Sequence, residues 1–212
     1  MSIWFATGNI HKKEELAAIL GRAVKIPAEA GLAFDPEETG STFLENALIK
    51  AAELYRLLVG SGNKGILNQS SGQLWQSGDA IIADDSGLCV DALDGSPGIF
   101  SARYGGKDLD AAGKNALLLD ELGNNPMRSA RFICAMVLYY GPGRFYIAQE
   151  CLEGELVKNN EFACGKGGFG YDPILYIPGM GRTVAELSPE EKNKLSHRGK
   201  AGRAIARILA IS

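Results

Sequence analysis

The sequence of 212 residues contains only two histidines and four cysteines, and both shortages restrict its chemistry. Two imidazoles cannot build a multi-histidine metal centre, so oxygen ligands, and with them Mg²⁺ or Mn²⁺, are favoured. Cys89, Cys134, Cys151 and Cys164 lie far apart with no Cys-x-x-Cys spacing, which speaks against both a zinc site and a disulfide framework. Reduced thiols, mostly buried, are expected instead. Basic residues are not in excess: 22 Lys and Arg face 25 Asp and Glu, giving a net charge of -3. That balance disfavours a broad surface for gripping a nucleic-acid polymer, while a small anionic ligand in a local basic pocket remains open. No apolar run reaches the roughly 18 residues of a membrane span, and no secretory leader pattern begins the chain, so a cytoplasmic protein without membrane attachment is expected. The signatures G-x-x-x-x-G-K-[ST] and G-x-S-x-G are also missing, which removes P-loop enzymes and serine hydrolases of the elbow type.

What is present alternates between strand and helix signals. Ile3-Trp4-Phe5-Ala6 reads as a buried strand, broken by Thr7-Gly8-Asn9 before a helical pattern from His11 to Leu20. A turn leading to a helix start capped by Asn9 is a natural phosphate site, because unpaired N–H groups and the positive dipole end meet there. Thr42 with Glu45 forms a capping box for a second helix, whose Asn46, Lys50 and Glu53 fall on one polar stripe. A Gly-, Ser-, Asn- and Gln-rich stretch at about 60–78 reads as an exposed excursion. Ala80–Ala83 and Leu88–Val90 read as strand on either side of Asp84-Asp85-Ser86-Gly87. Arg131–Tyr140 and Phe145–Val157 read as long strands joined by Gly141-Pro142-Gly143, and helices recur at Leu109–Leu122 and Arg198–Ile211. The fold class is therefore α/β: an elongated mixed sheet flanked by helices, with residues 1–212 as a single domain and no linker.

Four segments carry candidate chemistry. Asp84-Asp85 ends an apolar strand, where a carboxylate can coordinate a hard cation and deprotonate water, although Asp-Asp-Ser-Gly is equally good turn chemistry. In an extended strand the two aspartates face opposite sides. Glu37-Glu38-Thr39-Gly40 offers a second carboxylate source or merely a complement to the helix dipole, and Lys50 is either a phosphate ligand or a solvated residue. Gly165 to Pro173 interrupts its glycines with Phe169, Tyr171 and Asp172, a composition suited to stacking on a base as well as to a tight turn. Ser188-Pro189-Glu190-Glu191 opens a helix ahead of a basic cluster of Lys192, Lys194, His197 and Arg198.

Taken together, these residues resemble the inosine triphosphate pyrophosphatase family. The matching blocks follow one another along nearly the whole chain: Thr7-Gly8-Asn9 with Lys12; Glu38-Thr39-Gly40; Phe43 to Ala51; Ala83 to Leu88; Pro97-Gly98-Ile99 with Ser101 to Tyr104; Gly167 to Pro173; and Ser196-His197-Arg198. The resemblance implies two lobes with an active-site cleft between them. It implies that Thr7, Gly8, Asn9, Ile10, His11, Lys12 and Lys50 hold a triphosphate. Glu38 and Asp85 would bind Mg²⁺, with Mn²⁺ as the other option, and Asp85 would accept the proton of the attacking water. Ser86, Phe169, Gly170, Tyr171, Asp172, Lys192, His197 and Arg198 would contact the substrate. A homodimer is implied by the same analogy. The stretch at 60–78 is longer than the family pattern and touches none of these blocks.

The implied activity is hydrolysis of ITP, dITP and XTP to the monophosphate and pyrophosphate. Donors from Lys192, His197 or Arg198 would pair with O6 of a 6-keto purine and would be left unsatisfied by the 6-amino group of adenine. Two alternatives stand beside it. A Maf-like nucleotide pyrophosphatase would lack the Phe-Gly-Tyr-Asp loop and the Ser-His-Arg ending, and a non-hydrolysing nucleotide sensor would have no need of Asp85.

Overall fold

Apolar residues on both faces mark a strand that is covered on both sides, and the chain begins with one. Ile3–Phe5 (β1) is fully buried and runs parallel to Ala80–Val90 (β2), pairing Ile3 with Ala80, Trp4 with Ile81 and Phe5 with Ile82. The computed structural model describes residues 1–60, 74–106, 108–165 and 167–211, so the polar stretch noted in the sequence lies largely outside the described residues. Ser129–Gly141 (β3) and Arg144–Leu156 (β4) form the predicted hairpin around Pro142-Gly143, with Gly143 at a φ of 73°. Leu175–Ile177 (β5) and Arg182–Thr183 (β6) add short antiparallel strands. The sheet order is β1-β2-β3-β4-β5-β6.

Asp84-Asp85-Ser86-Gly87 is not a turn. It lies within eleven continuous residues of β2, a strand with hydrogen-bonded neighbours on both sides. β1 pairs only with Ala80–Ile82, so it is the β3 edge that holds this segment extended, and sheet pairing there overrides the local turn preference of the sequence.

The chain forms two compact units. The first comprises Met1–Asp85, Ala135–Gln149 and Ala201–Ser212; the second comprises Ser86–Cys134 and Glu150–Lys200. In the first, Phe43–Gly60 (α2) buries Ala47, Ala51, Leu54 and Leu58 against Trp4, Ile81, Val137 and Tyr139. The spacing of those four positions makes one apolar face, and each leucine contributes about 1.5–3 kcal/mol by leaving water. Ile10–Leu20 (α1) and His197–Leu209 (α5) supply the other long helices of this part of the chain, α5 burying Ala201, Ile205 and Leu209. In the second unit, Ala111–Leu122 (α3) packs Leu118, Leu119 and Leu122 against Val90, Phe132 and Ile174. Pro189–Leu195 (α4) starts at the predicted Ser188 cap, with Glu191 closing the box.

Cys89 and Cys134 are buried, Cys151 is half-buried and Cys164 is exposed, all four as free thiols. Cys164 is exposed because it sits in an irregular connection beyond β4. Among the described residues no helix is long and apolar enough to cross a membrane.

Candidate active site

In the first unit the candidate residues converge on the end of β2's apolar run. The Asn9 side chain caps α1 by accepting from the N–H groups of His11, at 2.9 Å, and Lys12, at 3.3 Å, while Thr7 Oγ1 accepts from Asn9 N at 3.0 Å. Gly8, Asn9, Ile10 and His11 are exposed, so the turn faces solvent with its helix start already ordered. His11 lies on the outside, 3.9 Å from Glu14. Lys12 points inward and donates to Asp84 Oδ1 at 3.0 Å.

Asp85, on the opposite side of the strand, meets α2. Lys50 Nζ lies 2.9 Å from Asp85 Oδ1 and 2.9 Å from Glu38 Oε1, so one ammonium joins both carboxylates. Asn46, one turn before Lys50, donates to Asp85 Oδ2 at 3.2 Å and accepts from Gly40 N at 2.9 Å. Gly40 has no room for a Cβ, which would come 2.6 Å from Glu45 Cβ. Asn46 thus ties the Glu38-Thr39-Gly40 loop to Asp85. In the sequence Asn46 falls on a polar stripe and carries no role of its own; its four-residue spacing from Lys50 is the available signal. Glu53, on the same expected stripe, leaves the group and pairs with Arg56. Lys50 is buried rather than solvated, because the strand carboxylates draw it in.

Burial and charge set the titration of this group. Burial opposes the charge on Lys50, but Asp85, Asp84 and Glu38 outweigh it and hold the ammonium above the ordinary lysine value. Asp85 is pushed above the ordinary carboxylate value by burial, with Glu38 adding to the rise and Lys50 and Lys12 opposing it. A carboxylate raised in this way is a better proton acceptor near neutral pH. Among the described residues no three acidic, histidine or cysteine side chains form a metal cage. Glu38 and Asp85 nevertheless converge on a single cation, as two oxygen donors to a hard metal would.

The second unit holds a different group, built around Phe169. Lys192 Nζ lies 4.5 Å and Arg198 Cζ 5.4 Å from the centre of its ring. Lys192 also reaches Asp172 Oδ2 at 2.9 Å, and the same oxygen accepts from Phe169 N at 2.8 Å. Gly168, with φ of 72°, passes so close to Asp172 that a side chain there would collide with its carboxylate. Arg198, only 2% exposed, donates to Ser86 Oγ at 2.9 Å. His197 is buried and stacks on Phe132 with ring centres 4.9 Å apart. Tyr171 is directed into the core, where its hydroxyl donates to the carbonyl of Ser101 at 3.0 Å, and burial pushes its pKa up to about 12. Of the segment Phe169–Asp172, therefore, Tyr171 presents its backbone rather than its ring.

The family model of the Ham1 family matches residues 3–208, nearly the whole chain. The chain belongs to the Ham1 family. This Ham1 family member is 44% identical to the dITP/XTP pyrophosphatase of Treponema denticola, over 99% of its own length and 98% of the relative's. The dITP/XTP pyrophosphatase of Exiguobacterium sibiricum is 40% identical over 99% and 97% of the two chains. Among solved structures, a HAM1 protein from Coxiella burnetii matches with a TM-score of 0.80 and 36% identity, covering both chains completely. A nucleoside-triphosphatase / dITP/XTP pyrophosphatase from Mycobacterium abscessus matches with a TM-score of 0.68 and 37% identity over 99% of each chain. The family resemblance and the α/β fold drawn from the Ham1 member's sequence are both borne out.

Proposed function

We propose that this protein is a nucleoside triphosphate pyrophosphatase that converts ITP, dITP and XTP to the monophosphate and pyrophosphate, clearing noncanonical purines from the cytoplasmic nucleotide pool. The observation that carries the reading is Asp85: a buried carboxylate oriented by Lys50 and Asn46, in a chain whose relatives are dITP/XTP pyrophosphatases.

In this reading the Thr7–Lys12 turn, exposed at Gly8 to His11, and Lys50 hold the triphosphate, and Asp85 accepts a proton from the water that attacks the α-phosphorus. A P–O bond to water forms, the bond between the α-phosphorus and the bridging oxygen breaks, and pyrophosphate departs with that oxygen. Lys12 and Lys50 offset the negative charge that develops on the leaving group. Asp84, held by Lys12, keeps that lysine in place. Glu38 and Asp85 would hold a divalent cation, Mg²⁺ or Mn²⁺, which keeps several waters and needs only one or two protein carboxylates beside substrate phosphates, so the pair fits such an ion. The cation would supply charge neutralisation on the phosphates. Phe169 offers its ring to the base, and Lys192, His197 and Arg198 offer donors for O6, with Ser86 and Asp172 orienting Arg198 and Lys192. Residues 1–212 act as one catalytic domain, working as a homodimer.

Pyrophosphate release from ITP, dITP, XTP, GTP, ATP and dTTP in parallel tests reaction and base choice together. Release from the first three with little from ATP or GTP is expected. Preferential cleavage of dTTP would overturn the purine assignment, and nucleotide binding without release would overturn the reaction.

A further inference from the structure

The core face of α3 contains one residue that does not suit it. Asn115, Leu118, Leu119 and Leu122 share one helical face, and Asn115 is as buried as its leucine neighbours, at 5% exposure. Asparagine is a weaker helix former than leucine, and its amide is costly to remove from water. Its Nδ2 donates to the carbonyl of Gly170 at 3.2 Å, while its Oδ1 is buried and meets no hydrogen-bond partner among the described residues. A polar residue that breaks its local pattern and is only half satisfied is the kind found where function outweighs packing.

What Asn115 holds is the weak point of the base loop. Phe169 N is fixed by Asp172, and Tyr171 is fixed by its hydroxyl on Ser101, but Gly170 between them has no side chain and a φ of 64°. Glycine permits either orientation of the adjoining peptide at little cost. The peptide is planar and trans, so turning the Gly170 carbonyl toward α3 turns the Tyr171 N–H the opposite way. We propose that Asn115 is a positioning residue for base recognition: by holding the Gly170 carbonyl it fixes the Gly170–Tyr171 peptide and the shape of the loop next to the Phe169 ring. This rests on the pyrophosphatase reading, and it assigns base selectivity to a residue that does not touch the base.

The test compares wild type with Asn115→Leu and Asn115→Asp, measuring thermal stability and the kcat and KM for ITP and ATP across pH. Asn115→Leu is expected to melt at or above the wild-type temperature while KM for ITP rises about tenfold and kcat changes little, so that preference for ITP over ATP narrows. Asn115→Asp sets an ionised carboxylate against the Gly170 carbonyl at neutral pH and raises KM likewise. As pH falls its protonated form donates in place of the amide, so KM returns toward wild type, a recovery that Asn115→Leu lacks. Should Asn115→Leu fail to fold, the pH-dependent recovery of Asn115→Asp decides alone. Wild-type KM and selectivity in the folded variants, or a loss of stability with KM unchanged, would overturn the assignment. Wild-type protein releasing no pyrophosphate from ITP would instead overturn the reading beneath it, and this inference with it.

Discussion

The group around Asp85 and the group around Phe169 both bury lysine-type charge, yet they treat it differently. Lys50 and Lys12 are shared out among Glu38, Asp85 and Asp84, oxygen by oxygen. Lys192 and Arg198 lie over one aromatic ring, Lys192 also donating to Asp172 and Arg198 to Ser86. The first arrangement suits phosphate and a hard cation, which offer charge and little shape. The second suits a flat base, whose faces stack and whose edge is read by donors. In the proposed reading, reaction and selectivity fall to separate residues, and substitutions should separate them.

The largest effect is expected at Asp85. Asp85→Asn removes the proposed proton acceptor while keeping shape, so kcat for ITP should fall by about 10²–10⁴-fold, as read by pyrophosphate release. Unchanged turnover would remove Asp85 from its role. Next in size, Phe169→Ala should weaken ITP binding by about 1–3 kcal/mol through lost stacking, appearing mainly in KM. A fall confined to kcat would merge the two groups rather than separate them. The smallest effect is expected at the buried Tyr171 hydroxyl, where Tyr171→Phe loses one hydrogen bond at about 1 kcal/mol in urea unfolding at neutral pH. Its pH dependence has a definite sign. The folded state raises Tyr171 to about 12, above the unfolded value of about 10, so the fold favours the neutral phenol. Stability tied to that phenol is complete below pH ~10 and is lost as pH rises toward 12. The gap between wild type and Tyr171→Phe should therefore close over that window, and a constant gap would contradict the raised pKa.

Much of the fold could be read from the residues because its signals are local. Asn9, Thr42 with Glu45, and Ser188 with Glu191 all cap the helices they were expected to cap. The hairpin at Pro142-Gly143 and the buried strand at the start followed from turn chemistry and apolar runs. The site was legible to a lesser degree. Residue types and order pointed to carboxylates, lysines and an aromatic loop, but Asp84-Asp85 read as well as a turn as it did as a strand. Asn46 had no assigned role, and Asn115 looked like one polar residue in a helix. Each of these depends on a partner far along the chain: Asn46 on Asp85, Asn115 on Gly170, and Lys50 on Asp85.

By itself the sequence determined the alternation of strands and helices, the capped helix starts and the family likeness, since these reside in neighbouring residues and short motifs. Only the tertiary structure decided that the aspartate pair stays extended, that the two aspartates turn to different lysines, and that Lys50 is buried as an ion. Those outcomes follow from the sheet pairing that holds β2 extended and from charges brought together across dozens of residues, and no local pattern contains either.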